Sequence, residues 1–189
     1  MRADAKKNYE QILTIARVVV ANHGADASLR EIARRAGVGL GTLYRHFPTR
    51  EALLEALLRT DFDELTAMAR ELETASSPDK ALISWLHDVV AWTGTYQGVV
   101  AVMMAAMEDT ESALHSSCIT MRTAGTRLLT RAQAKGLART DMDGEDLFSL
   151  AAALAWLGDQ PSSAPRAEHL FNIIASAILT NRASSDYKK

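Results

Sequence analysis

The residues whose types and spacing suit chemistry gather in one stretch, Ser28–Arg50, which reads SLREIARRAGVGLGTLYRHFPTR. It offers hydroxyls at Ser28, Thr42 and Tyr44, guanidinium groups at Arg34, Arg45 and Arg50, and the imidazole of His46. These groups donate hydrogen bonds to anionic oxygens, and nearly all the charge among them is positive. Such a set suits holding a polyanion rather than moving protons or making covalent bonds.

Other chemistries are absent from the pattern. Gly37-Val38-Gly39-Leu40-Gly41 is glycine-rich, but it follows a helical pattern and lacks the Lys-Ser/Thr of a phosphate loop. Asp141–Asp146 has the acidity of a calcium loop, yet its glycine falls two places early and the twelfth position is Ala152. The histidines (His23, His46, His87, His115 and His169) form no i, i+4 zinc pair. No Gly-x-Ser-x-Gly elbow occurs, and a lone Cys118 supports neither a disulfide nor a thiolate cluster. No enzyme, metal or cofactor is expected.

The donor-rich stretch lies in a basic head. Residues 1–50 carry nine Lys/Arg and four Asp/Glu, a net of +5, whereas residues 51–189 carry twelve and nineteen, a net of -7. The sign change suggests that the head meets a polyanion and the body does not. The charged start, Met1-Arg2-Ala3-Asp4-Ala5-Lys6-Lys7, does not read as a signal peptide, and no apolar run reaches the roughly 20 residues of a membrane span. A cytoplasmic location is expected.

The elements that must position the head all read as helices. Tyr9, Ile12, Leu13, Ala16, Val19 and Val20 repeat at helical spacing, and His23-Gly24 stops them. Ser28 opens a second helix as its N-cap, with Glu31 placed to complete a capping box. Gly37 ends it, Val38 plugs the turn, and a third short helix runs from about Leu40 to Phe47. Ala33 and Ala36 allow close crossing, while Leu43 and Phe47 face inward. This is helix-turn-helix spacing, which presents Leu40, Thr42, Tyr44 and Arg45 outward for a DNA major groove. Pro48 and Thr49 then start a fourth helix with Leu53, Leu54, Leu57, Leu58, Phe62 and Leu65 as its stripe. Further helices are expected over about Pro78–Thr95, Gln97–Met107, Glu111–Lys135, Asp143–Gly158 and from Ser162–Pro165 to about Arg182. The fold class is therefore all-α: an N-terminal three-helix head at 1–50, a helical body at 51–183 and a flexible tail at 184–189.

Taken together, Ile32-Ala33, Ala36-Gly37-Val38, Gly41-Thr42-Leu43-Tyr44, His46-Phe47 and Arg50-Glu51 with Leu53-Leu54 resemble the TetR family of bacterial transcription regulators. The resemblance is close over residues 8–62 and rests beyond them on layout alone. It implies that Ser28, Thr42, Tyr44, His46 and Arg50 hold the DNA backbone. It also places Gly39, Leu40, Thr42 and Tyr44 at groove-reading positions, with Arg34 and Arg45 within reach of DNA. Plainer roles exist for several: Ser28 as a helix cap, His46 as a packed histidine, Arg34 and Arg45 as solvated charges. Gly39 stands where the family often has Ser, and Arg50 where it often has Lys, which bears on operator preference.

The body carries two further expectations. Trp85, Trp92, Tyr96, Met103, Met104, Met107, Cys118, Met121, Arg122 and Trp156 form an inventory suited to a small, largely apolar effector, although Met and Trp at helical spacing also serve as ordinary core. Leu147, Leu150, Leu154 and Leu157, with Leu170, Ile173, Ile174, Ala177 and Ile178, form stripes suited to a four-helix homodimer bundle. The functional expectation is a repressor released from a palindromic operator by such an effector. The alternative is a helix-turn-helix regulator whose body serves only dimerisation or protein partners.

Overall fold

The computed structural model describes residues 2–94, 110 and 112–180. The described elements are α1 (Arg2–His23), α2 (Leu29–Arg35), α3 (Leu40–His46), α4 (Arg50–Leu72), α5 (Pro78–Gly94), α6 (Ala113–Ala134), α7 (Gly144–Asp159) and α8 (Ala167–Ile178), with short 3-10 turns at Gly24–Asp26 and Ala164–Arg166. The chain divides into two compact units. The first takes the residues up to Phe62 and the start of α6; the second begins at Asp63 and resumes at Ile119. The division falls inside α4.

In the first unit, α1 buries Ile12, Leu13, Ala16, Val19 and Val20. A guanidinium–carboxylate contact ties it to α4: Arg17 donates to Asp61, whose side chain is only 3% exposed. Such a pair desolvates two charges, so it fixes helix registry more than it adds net stability. At its other end, Tyr9 stacks on Phe47 with ring centroids 5.0 Å apart, and its hydroxyl accepts from Arg59 at 3.4 Å.

In the second unit, Trp85 of α5 is the central anchor, with no exposed surface. Its Nε1–H donates to the Leu65 carbonyl at 2.9 Å, and its ring meets Phe148 edge-on at 5.8 Å. Gly125 of α6 makes this possible, because a Cβ there would stand 2.3 Å from the indole. Helices α5 and α7 pack together, and α7 packs on α8. Asp143 caps α7 in a reciprocal box with Asp146.

Two sequence expectations change. The box at Ser28 is half-made: Ser28 Oγ accepts from the Glu31 amide at 3.4 Å, but the Glu31 carboxylate turns to Arg35 at 3.6 Å. Helix α8 ends at Ile178, not near Arg182, because the Thr180 amide donates to Leu137 and the Arg139 amide to Ile178. That pairing draws residues 179–180 into an extended bridge with Ala138. The helix expected over 97–107 and the tail at 184–189 lie outside the described residues.

Candidate nucleic-acid interface

The turn between α2 and α3 is built by local sequence. Gly37 has φ +66°, the left-handed conformation that a glycine adopts without a Cβ penalty. The Val38 amide donates to Ala33 at 3.0 Å and the Gly37 amide to Arg34 at 3.2 Å, closing a Schellman motif. Ile32, Ala33, Ala36, Leu43 and Phe47 are all buried, so the two helices share one apolar seam.

What remains outside is the candidate interface. Tyr44 is 45% exposed, with its ring on the outer side of α3. Leu40 and Thr42 are half-buried, and Gly39, Arg34 and Arg45 are exposed. Arg45 Nη2 donates to Thr42 Oγ1 at 2.9 Å. His46 is half-buried against the Tyr9 and Phe47 rings, at 6.1 and 6.3 Å. Arg50 Nη1 lies 3.4 Å from Asp26 in a surface pair. Ser28 has a structural duty as the α2 cap, and Thr49 Oγ1 caps α4 by accepting from Ala52 at 3.0 Å.

Gly39 is the N-cap of α3 and supplies no capping side chain. Nothing obstructs one: a Cβ at Gly39 would meet only Thr42 Oγ1, at 3.9 Å. The sequence reading missed two contributors, Tyr9 and Arg59, which brace the far end of α3 through the ring stack and hydroxyl contact. Their signal was faint, since an aromatic on one helix and an arginine fifty residues on share no local pattern.

The structure describes six of the ten residues in the effector inventory. Trp85, Cys118 and Met121 are buried, and Trp92 is half-buried. Trp156 is 62% exposed on α7. Tyr96, Met103, Met104 and Met107 lie outside the described residues. Arg122 sits over the Phe148 ring at 5.5 Å and borders an open groove of about 630 Å³ along α6.

The dimer stripe divides as well. Leu147, Leu154 and Ile178 are buried within the protomer, because α7 spends that face on intramolecular packing. Leu150, Leu157, Leu170 and Ile174 are half-buried, Ala177 is exposed and Ile173 is 49% exposed. Leu150, Ile174, Ala177 and Ile178 share an open groove of about 420 Å³.

A helix-turn-helix with an exposed aromatic and basic face, set at the start of an all-helical chain, defines a DNA-binding regulator. Sequence profiles agree. Residues 12–57 match the bacterial regulatory proteins of the tetR family, and residues 77–178 match the SbtR-like transcriptional regulator C-terminal domain. A TetR transcriptional regulator from Streptomyces coelicolor is 32% identical, with a TM-score of 0.71 over 92% of this chain and 99% of that one. A TetR regulatory protein from Mycobacterium vanbaalenii is 30% identical, with a TM-score of 0.69 over 95% and 99%. HTH-type transcriptional regulators of Staphylococcus aureus are 39% identical over 64 residues; these matches span 33% of this chain and 35% of the relatives' length. The chain belongs to the TetR family of bacterial transcription regulators, which are DNA-binding proteins and not enzymes. Among the described residues, no helix is long and apolar enough to cross a membrane.

Proposed function

We propose that the protein is a homodimeric repressor that occupies a palindromic operator and leaves it when a small, largely apolar effector binds the C-terminal domain. The observation that carries the operator half of this reading is α3, which directs Tyr44, Arg45 and Thr42 away from a seam buried at Leu43 and Phe47. A two-fold dimer would present two such helices to successive major grooves, and a palindrome would follow from that symmetry.

Support for the dimer comes from exposed apolar side chains on the last two helices. Trp156 and Ile173 are the large ones, at 62% and 49% exposure. Trp156 belongs with this face in our reading. Support for the effector comes from the apolar side chains of α5 and α6, Trp85, Cys118 and Met121 among them.

The test uses full-length protein in three measurements. Sedimentation should give a dimer for wild type, and monomers with unchanged helicity for Trp156→Glu combined with Ile173→Glu. Both positions are exposed, so the double variant tests association without disturbing the core; an unchanged dimer refutes the placement. Operator selection from random duplexes should return inverted repeats. A compound that binds should weaken operator affinity by the factor by which operator weakens its own binding. A tight ligand without that reciprocity would remove induction from the reading and leave the DNA-binding role standing.

A further inference from the structure

Arg45 is the outermost side chain of α3. Leu43 and Phe47 point into the seam at 0% and 2% exposure, and a helix turns about 100° per residue, so Gly41 and Arg45 fall on the opposite side. Side chains on a helix lean toward its N-terminus, which carries the Arg45 side chain back over the preceding turn. There its Nη2 donates to Thr42 Oγ1 at 2.9 Å. Gly41 leaves the way clear, since even a Cβ at that position would meet nothing within 4 Å. Two carboxylates of the head pair with other arginines, Glu31 with Arg35 at 3.6 Å and Asp26 with Arg50 at 3.4 Å. Among the described residues, Arg45 has no acidic partner.

This inference rests on the DNA-binding reading above. We propose that Arg45 reads a guanine in the major groove of each operator half-site, and that Thr42 is the positioning residue that sets its direction. Guanine presents two acceptors side by side, O6 and N7, which match the fork of a guanidinium group. Arg45 has five N–H donors and spends one on Thr42, so a fork remains free. Fixing a long side chain before DNA arrives removes much of the entropy that binding would otherwise have to overcome. Thr42 accepts from Arg45 through a lone pair, which leaves its own hydroxyl hydrogen free for a phosphate. The two glycines at 39 and 41 keep other side chains from competing for the same base.

The test starts from the best site that full-length protein selects from random duplexes. Each guanine is replaced in turn by 7-deazaguanine, which keeps Watson–Crick pairing and removes the N7 acceptor. One guanine per half-site should be sensitive, its replacement weakening wild-type binding about tenfold or more. Arg45→Ala should bind more weakly overall and be indifferent to that replacement. Thr42→Val should lose most of the penalty, and Thr42→Ser, which keeps the acceptor, should retain it. A merely structural role for Thr42 would leave the penalty intact in every variant that still binds. The assignment is overturned if the penalty persists in Arg45→Ala. It is equally overturned if no guanine is sensitive and Arg45→Ala lowers the salt slope by about one, the mark of a phosphate contact. Failure of the regulator reading itself looks different: no sequence is enriched from the pool, and the guanine assignment falls with it.

Discussion

Gly125→Ala adds one methyl group where the second compact unit has no room for it. The new Cβ would lie 2.3 and 2.4 Å from Trp85 Cη2 and Cζ3, and 3.1 Å from Phe148 Cζ. The indole cannot retreat freely, since Trp85 has no exposed surface and its Nε1–H is held by the Leu65 carbonyl at 2.9 Å. Overpacking of this kind costs about 1–3 kcal/mol. Shifting the ring enough to strand a buried donor adds about 1–3 kcal/mol. Alanine returns about 1 kcal/mol of helix propensity. The balance is a net loss of roughly 1–5 kcal/mol. At about 2–4 °C per kcal/mol for a chain of this size, the melting temperature should fall by roughly 2–20 °C. Differential scanning calorimetry of the wild type and the variant measures it. A cycle with Trp85→Phe assigns the cause, because the smaller ring makes room and the cost of Gly125→Ala should shrink by about 1 kcal/mol or more. Unchanged or raised stability in Gly125→Ala, or no coupling to Trp85, would refute this packing argument.

Three further outcomes are expected. Tyr44→Ala should weaken operator binding by roughly 1–3 kcal/mol with no loss of helicity, measured by fluorescence anisotropy; wild-type affinity would remove Tyr44 from the interface. Gly39→Ser should supply the missing α3 cap and raise stability by a few tenths of a kcal/mol, since the position is open; a fall in chemical-denaturation midpoint would contradict it. Asp141 is held at about 2 by hydrogen bonding from Arg139. Its folded value lies below the unfolded one, so whatever stability the pair gives is present above pH ~4 and lost as pH falls through about 2. Carbon-detected titration by NMR should find that midpoint, and Arg139→Ala should return it to the ordinary carboxylate range.

Much of the head was legible because its determinants are local. Gly37 closes α2 through hydrogen bonds that span three and five residues, and Ser28 and Thr49 cap by reaching three residues ahead. The Asp143–Asp146 box works over the same distance. Glu31 shows the limit even at short range. Its carboxylate had two partners within reach, the Ser28 amide and Arg35, and nothing in the spacing chose between them.

The sequence by itself determined the helices of the head, the caps at Ser28 and Thr49, the helix-turn-helix and the basic face on α3, because hydrophobic period and capping act over a few residues. Tertiary structure decided which apolar residues turned inward. Trp85 and Trp156 read alike in sequence, yet one is wholly buried and the other is 62% exposed. Helix α7 is apolar on two faces, and only its packing against α5 and α8 shows that Leu147 and Leu154 belong inside while Trp156 does not. The end of α8 was likewise set from afar, by Leu137 and Arg139 pairing with the chain some forty residues on. Periodicity specifies the faces a helix has; the neighbours that cover them are fixed only when distant segments meet.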